Sequence, residues 1–175
     1  QSTAASHSRA MILEVMGRDA GHIALNAGIA GGADIILIPE LNYSIDGIVK
    51  KLLEIKKNKI GHSLIIVAES VKKENGENVI NNYKNQKRFG GIGHYIATEI
   101  MRKADIECRV TSLGHIQRGA TPVAIDRILA SAFGVFAVDL AANKKFSRLV
   151  VWQDRKVTDV PIEMGIKDYR QVTKD

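Results

Sequence analysis

Two apolar runs, AMILEVM (Ala10 to Met16) and ADIILIP (Ala33 to Pro39), bracket a stretch of small and aliphatic residues at helical spacing, Ala20 to Ile29. Each run is short and nearly free of polar residues, as a strand covered on both faces is. Gly17-Arg18 breaks the first run, and Gly31-Gly32 follows the helical stretch where a C-terminal glycine belongs. Strand, helix and strand within about 30 residues make a βαβ unit, whose strands are parallel and whose crossover is right-handed. That unit restricts the chain to folds in which helices cover a parallel sheet.

The alternation continues downstream. Ser44 is placed to cap a helix whose apolar stripe is Ile45, Ile48, Val49, Leu52, Leu53 and Ile55. HSLIIVAES reads as a strand ending on Glu69. Residues 72–88 are polar and contain Asn75-Gly76, which predicts a long exposed loop. A helix is predicted over 92–102, a strand over 108–113, a long helix over 123–142, and a closing pair of strands, 149–153 and 156–160, around Asp154-Arg155. The fold class is therefore α/β, a Rossmann-like three-layer sandwich on a mostly parallel sheet. With aromatics at only 5%, its core must be built from Ile, Val, Leu and Ala.

At 175 residues the chain is about one domain in size. Its single cysteine, Cys108, excludes an internal disulfide and fits a reducing, cytoplasmic setting. No run approaches the roughly 18 apolar residues of a membrane span. The opening QSTAASHSRA has neither an initiator Met nor a charged-then-apolar leader, so the expectation is a piece of a longer polypeptide without a signal peptide. The net charge of +6 favours an anionic partner. Its lysine-rich stretches, from Lys50-Lys51 to Lys59 and from Lys84 to Arg88, carry no nucleic-acid-binding signature and read as solvated faces.

In an open parallel sheet, ligands bind outside the carboxyl ends of the strands. Met16-Gly17-Arg18 follows the first strand, Glu69 ends the third, and His115, Gln117 and Arg118 follow the fourth. Arg9 precedes the first strand and Arg109 lies inside the fourth. Arginine forks bind phosphate oxygens bidentately, histidine adds a donor, and a glutamate accepts from sugar hydroxyls. Gly17 permits close backbone approach at an expected helix start, where free amides favour negative charge. The set suits a phosphorylated sugar. The bland alternative pairs Arg18 with Asp19 and Arg118 with Asp126, and leaves His115 as an ordinary surface histidine.

Other chemistries do not develop. His22, His62 and His94 lack metal-ligand spacing, and Asp34 reads as a turn residue, so no metal site is expected. Cys108 has no cationic neighbour in the pattern and reads as inert packing. Gly90-Gly91-Ile92-Gly93 opens a helix after a loop, unlike a dinucleotide-binding turn, and no phosphate-binding P-loop or nucleophile elbow occurs.

The segments SHSRAMILEVMGR, GGADIILIPE, VAES and LGHIQRGATPVAIDRILA resemble the sugar-phosphate half of the 6-phosphofructokinase family, in order and over nearly the whole chain. The resemblance implies phosphorylation of fructose 6-phosphate at C1, in glycolysis. His115 and Arg118 would bind the sugar phosphate from the same subunit, and Arg9 and Arg109 from a neighbouring one. Met16, Gly17 and Arg18 would lie against the sugar and the transferred phosphoryl, and Glu69 would meet the sugar hydroxyls. LGHIQR would then be a strand ending inside the pocket.

The family's donor-binding glycine-rich segment and Asp general base lie upstream of this sequence, so the chain alone is expected to transfer nothing, with Mg2+ bound mainly by that other half. Residues 1–118 would form the sugar-phosphate lobe, 119–150 would return to the nucleotide lobe, and 151–175 would return to the first. The resemblance also implies a cytoplasmic, allosteric homotetramer with pockets shared between subunits. Two departures matter. The segment matching the basic effector-binding run reads Asn58-Lys59-Ile60-Gly61, with one lysine. The wording also resembles a branch holding both ATP- and pyrophosphate-using enzymes, leaving the donor open. The competing classes are a non-catalytic phosphosugar-binding regulatory subunit and a basic nucleic-acid binder.

Overall fold

The computed structural model describes residues 9–58, 62–83, 86–167 and 170–173. They fall into two compact units, one within 1–118 together with 171–173 and the other within 119–170.

The first unit is built on four parallel strands: β1 (Ala10–Val15), β2 (Ile35–Leu37), β3 (Ser63–Ala68) and β6 (Cys108–Ser112), in the order β2-β3-β1-β6. Both strands of the expected βαβ unit are thus parallel to β3. Helices α1 (His22–Gly31), α2 (Ile45–Lys57) and α3 (Ile92–Ala104) cover this sheet. The first crossover moves outward past the position of β3, while the next two run back, so right-handed connections put α1 on one face and α2 with α3 on the other. The result is the three-layer α/β architecture the sequence predicts. Ile12, Ile65 and Val67 from the sheet and Ile45, Ile92, Ile96 and Ile100 from the helices are the largest fully buried side chains.

Local chemistry explains the element ends. Gly32 adopts a left-handed φ of 63° and closes α1, its amide returning to the carbonyls of Gly28 and Ile29. Gly28 packs on β2 so closely that an added Cβ would lie 2.5 Å from Ile36. Ser44 Oγ accepts from the Gly47 amide at 3.1 Å and caps α2. Strand β2 is shorter than expected, because Pro39 offers no N–H and Leu41 turns back onto the Ile38 carbonyl. Asp34 Oδ2 accepts from the Leu64 amide at 2.8 Å, which gives that carboxylate a structural task.

Residues 72–88 are not one long loop. Strands β4 (Ile80–Tyr83) and β5 (Gln86–Phe89) pair antiparallel, with Ile80 opposite Phe89. The pattern INNY and QKRF has no apolar alternation, so neither strand announces itself.

In the second unit, α4 (Ala124–Ala142) accompanies the antiparallel hairpin of β7 (Arg148–Gln153) and β8 (Lys156–Pro161), followed by α5 (Ile162–Lys167). Asp154 and Arg155 have φ of 50° and 61°, as a two-residue hairpin turn of the right twist requires. Asp126 Oδ2 accepts from the Val123 amide at 3.1 Å at the start of α4. This helix is apolar nearly all round, yet among its described residues only Leu140 is buried, and Ile125, Ile128, Val135 and Val138 are exposed. A helix of that composition ordinarily lies within a protein interior.

Candidate functional site at the carboxyl edge of the sheet

The site grows from the register. Val15 pairs with Ala68 and Glu14 with Ser112, so Met16, Glu69 and Leu113 emerge together at the carboxyl edge. The connections leaving β1 and the neighbouring β3 run to opposite faces of the sheet, the reversal at which an open parallel sheet binds its ligands.

At that edge the chain turns sharply. The Ala20 amide donates to the Gly17 carbonyl at 3.2 Å, and Arg18 sits at φ 49°, a conformation that costs a non-glycine residue about 1 kcal/mol or more. Gly17 is required here by close approach, since a Cβ would lie 2.5 Å from the Ala20 carbonyl oxygen. Glu69 Oε1 accepts the amides of Gly17 at 3.3 Å and Arg18 at 3.2 Å. Gln117 Oε1 accepts the Met16 amide at 2.8 Å. Three consecutive amides are therefore held by side chains from two other strand ends. This corrects the expectation that Gly17 opens a helix with amides free for an anion: α1 begins only at His22, and Glu69 occupies the Gly17 and Arg18 amides.

Strand β6 stops at Ser112, and Gly114–Arg118 forms a 3-10 helix instead of continuing as a strand into the pocket. Gly114, at φ 46°, makes the bend. The single turn exposes His115 and Arg118 and directs Gln117 back toward β1. Met16, Gly17, Arg18, Glu69, His115 and Arg118 thus gather on one edge.

Arg9 and Arg109 do not. The pairing of Ala10 with Cys108 and Met11 with Arg109 places both at the amino edge, where they share Glu107 at 2.7 Å and 2.9 Å. Arg9, and then Arg109, holds the Glu107 carboxyl below its usual range. The strand between the two edges spans roughly 16 Å at about 3.3 Å per residue, too far for either arginine to join the opposite edge of its own chain.

Two carboxylates escaped the sequence reading. Glu14, the penultimate residue of β1 and 2% exposed, accepts from Gly91 at 2.9 Å and Gly93 at 2.8 Å. It is a remote cap for α3, and the sequence signal was a charge inside an apolar strand, which must find partners. Glu40 accepts from the amides of Gly21 at 2.9 Å and Val172 at 3.0 Å. Burial pushes the Glu40 carboxyl up, but the Val172 and Gly21 amides together outweigh it and hold it below its usual range. Cys108 is buried, and that burial raises its thiol to about 11, with Glu107 adding to the effect. Among the described residues, no group of three or more His, Cys, Asp or Glu side chains could hold a metal, and no helix is long and apolar enough to cross a membrane.

The family model for phosphofructokinase matches residues 1–141. The chain belongs to the phosphofructokinase family. It is 53% identical over 99% of its length to an ATP-dependent 6-phosphofructokinase of Nostoc sp., and 51% identical over 99% to one of Synechocystis sp.. It spans about half of these curated relatives, 48% of each. The Pichia pastoris phosphofructokinase in the T-state superposes with a TM-score of 0.76 at 31% identity, over 95% of this chain and 18% of that one. A pyrophosphate-dependent phosphofructokinase from Nitrosospira multiformis shares the fold, with a TM-score of 0.78 at 22% identity over 99% of this chain and 44% of that one.

Proposed function

We propose that this chain is the sugar-phosphate half of a 6-phosphofructokinase, and that the full-length parent transfers a phosphoryl group to the C1 hydroxyl of fructose 6-phosphate in glycolysis. The observation carrying this reading is the convergence of Met16, Gly17, Arg18, Glu69, His115 and Arg118 on one sheet edge. His115 and Arg118 bind the sugar phosphate. Glu69 uses Oε1 for two amides, and Oε2 would accept from sugar hydroxyls. Arg18 stabilises the transferred phosphoryl, whose charge spreads over its oxygens in the transition state.

The donor site, the general base and Mg2+, which would neutralise charge on the bridging phosphates, belong to the half outside this chain. ATP is favoured over pyrophosphate, because the relatives at about half identity are ATP-dependent while the pyrophosphate-dependent one is at 22%. The exposed apolar surface of α4 supports the reading that residues 119–150 return to the nucleotide lobe, which would cover it. Arg9 and Arg109 serve the pocket of an adjacent protomer, giving a cytoplasmic homo-oligomer, a tetramer by family pattern, with isologous contacts. The segment 58–61 that bears on allosteric control lies, but for Asn58, outside the described residues.

The test is turnover by the full-length parent. Fructose 6-phosphate should be phosphorylated with ATP and Mg2+ and far more slowly with pyrophosphate. Sugar binding without turnover by either donor would favour a regulatory subunit instead.

A further inference from the structure

In a parallel ladder, the Met16 amide of β1 would reach the Leu113 carbonyl of β6, one step past the bond from the Leu113 amide to the Glu14 carbonyl at 3.1 Å. That acceptor is taken. Gly114 bends the chain, and the Leu113 carbonyl receives the Ile116 amide at 3.1 Å inside the 3-10 turn. The Gln117 carboxamide oxygen stands in its place, 2.8 Å from the Met16 nitrogen.

We propose that Gln117 is a positioning residue that locks the turn bearing His115 and Arg118 to the turn bearing Met16, Gly17 and Arg18, so that both halves of the site keep one register. The inference deepens the functional reading above and rests on it. His115 and Arg118 flank Gln117 in a turn of only five residues, so the one bond fixes the backbone that carries them. On the other side, Met16 leads into the Gly17–Ala20 turn, whose Gly17 and Arg18 amides are already on Glu69. Among the described residues, the Leu113 amide to Glu14 carbonyl bond at the end of the sheet would, without the Gln117 acceptor, be the nearest remaining link between the two turns.

Gln117→Leu removes the acceptor, and Gln117→Glu keeps one in place. In the full-length parent, Gln117→Leu should lower kcat with fructose 6-phosphate on the order of tenfold or more, as small misplacements of reacting groups do, with a smaller rise in KM and an unchanged donor KM. Gln117→Glu should recover most of that kcat. Hydrogen exchange at the Met16 amide should speed up in Gln117→Leu and return to the wild-type rate in Gln117→Glu, while the Gly93 amide, held by Glu14, stays protected. Should Gln117→Leu not fold, Gln117→Asn, one methylene too short, carries the same expectations. Unchanged Met16 exchange, or loss of activity that Gln117→Glu does not rescue, overturns the proposal. A wild-type parent inactive on fructose 6-phosphate would overturn the functional reading alone, since the Met16 exchange still reports on the bond.

Discussion

Arg9 lies 2.7 Å from the Glu107 carboxylate, on the amino edge of a sheet whose opposite edge carries Glu69. Arg109 meets the same carboxylate. Two arginines of the expected substrate set are therefore a strand's length from the other residues of their own chain. The proposed pocket shared between protomers would reconcile this with the family resemblance. Mixing two inactive parents, Arg109→Ala and Arg118→Ala, should restore activity in hybrid oligomers, because some pockets then receive both native arginines. Demonstrated hybrids with no recovered activity would place both arginines in one subunit's pocket.

Glu69 organises backbone as well as facing the crevice. Its replacement by alanine frees the Gly17 and Arg18 amides and should lower stability by about 1–2 kcal/mol, since the bonds are charge-assisted but long and partly exposed. Glu69→Gln retains an acceptor and should cost less. Urea unfolding of the parent and both variants measures the difference.

Gly17→Ala puts a methyl group against the Ala20 carbonyl oxygen. The turn must shift, and overpacking of this kind costs about 1–3 kcal/mol. Activity should suffer more than stability, because the shifted segment carries Met16 and Arg18. A parallel kcat and thermal-melt comparison decides it.

Glu40 predicts a pH dependence. Its carboxyl is held below the usual range by the Val172 and Gly21 amides, so it stabilises the fold above the ordinary glutamate value of about 4.3. That contribution is lost as pH falls through the depressed folded value. Wild type should be more stable than Glu40→Gln at pH 7, and the gap should close as the solution is acidified below about pH 4. A gap that is constant with pH would contradict the role assigned to the carboxylate.

Cys108, buried with its thiol raised to about 11, should resist iodoacetamide at pH 8 in the folded protein and react readily once unfolded.

Much of this was legible in the sequence because it rests on short-range signals. AMILEVM and ADIILIP announce buried parallel strands, Ser44 and Gly32 mark helix ends, and strand-end polar residues mark the carboxyl edge of the sheet. What stayed hidden depends on long-range pairing. Glu14 finds its amides 77 and 79 positions away, and Gln117 reaches Met16 across 101. No local pattern encodes such partners. The strands of the β4–β5 hairpin lack apolar alternation and so carry no local signal, and LGHIQR begins like a strand before Gly114 bends it into the 3-10 turn.

The edge formed by Met16–Arg18, Glu69 and His115–Arg118 is proposed to bind the phosphorylated sugar. Steady-state kinetics of the full-length parent carrying Arg118→Ala test it most directly. Removing one charged partner of a desolvated phosphate costs about 2–5 kcal/mol. The KM for fructose 6-phosphate should therefore rise by roughly thirtyfold or more while the donor KM stays nearly unchanged. An unaltered KM for fructose 6-phosphate, or a rise confined to the donor, would rule out sugar-phosphate binding by Arg118 at this edge.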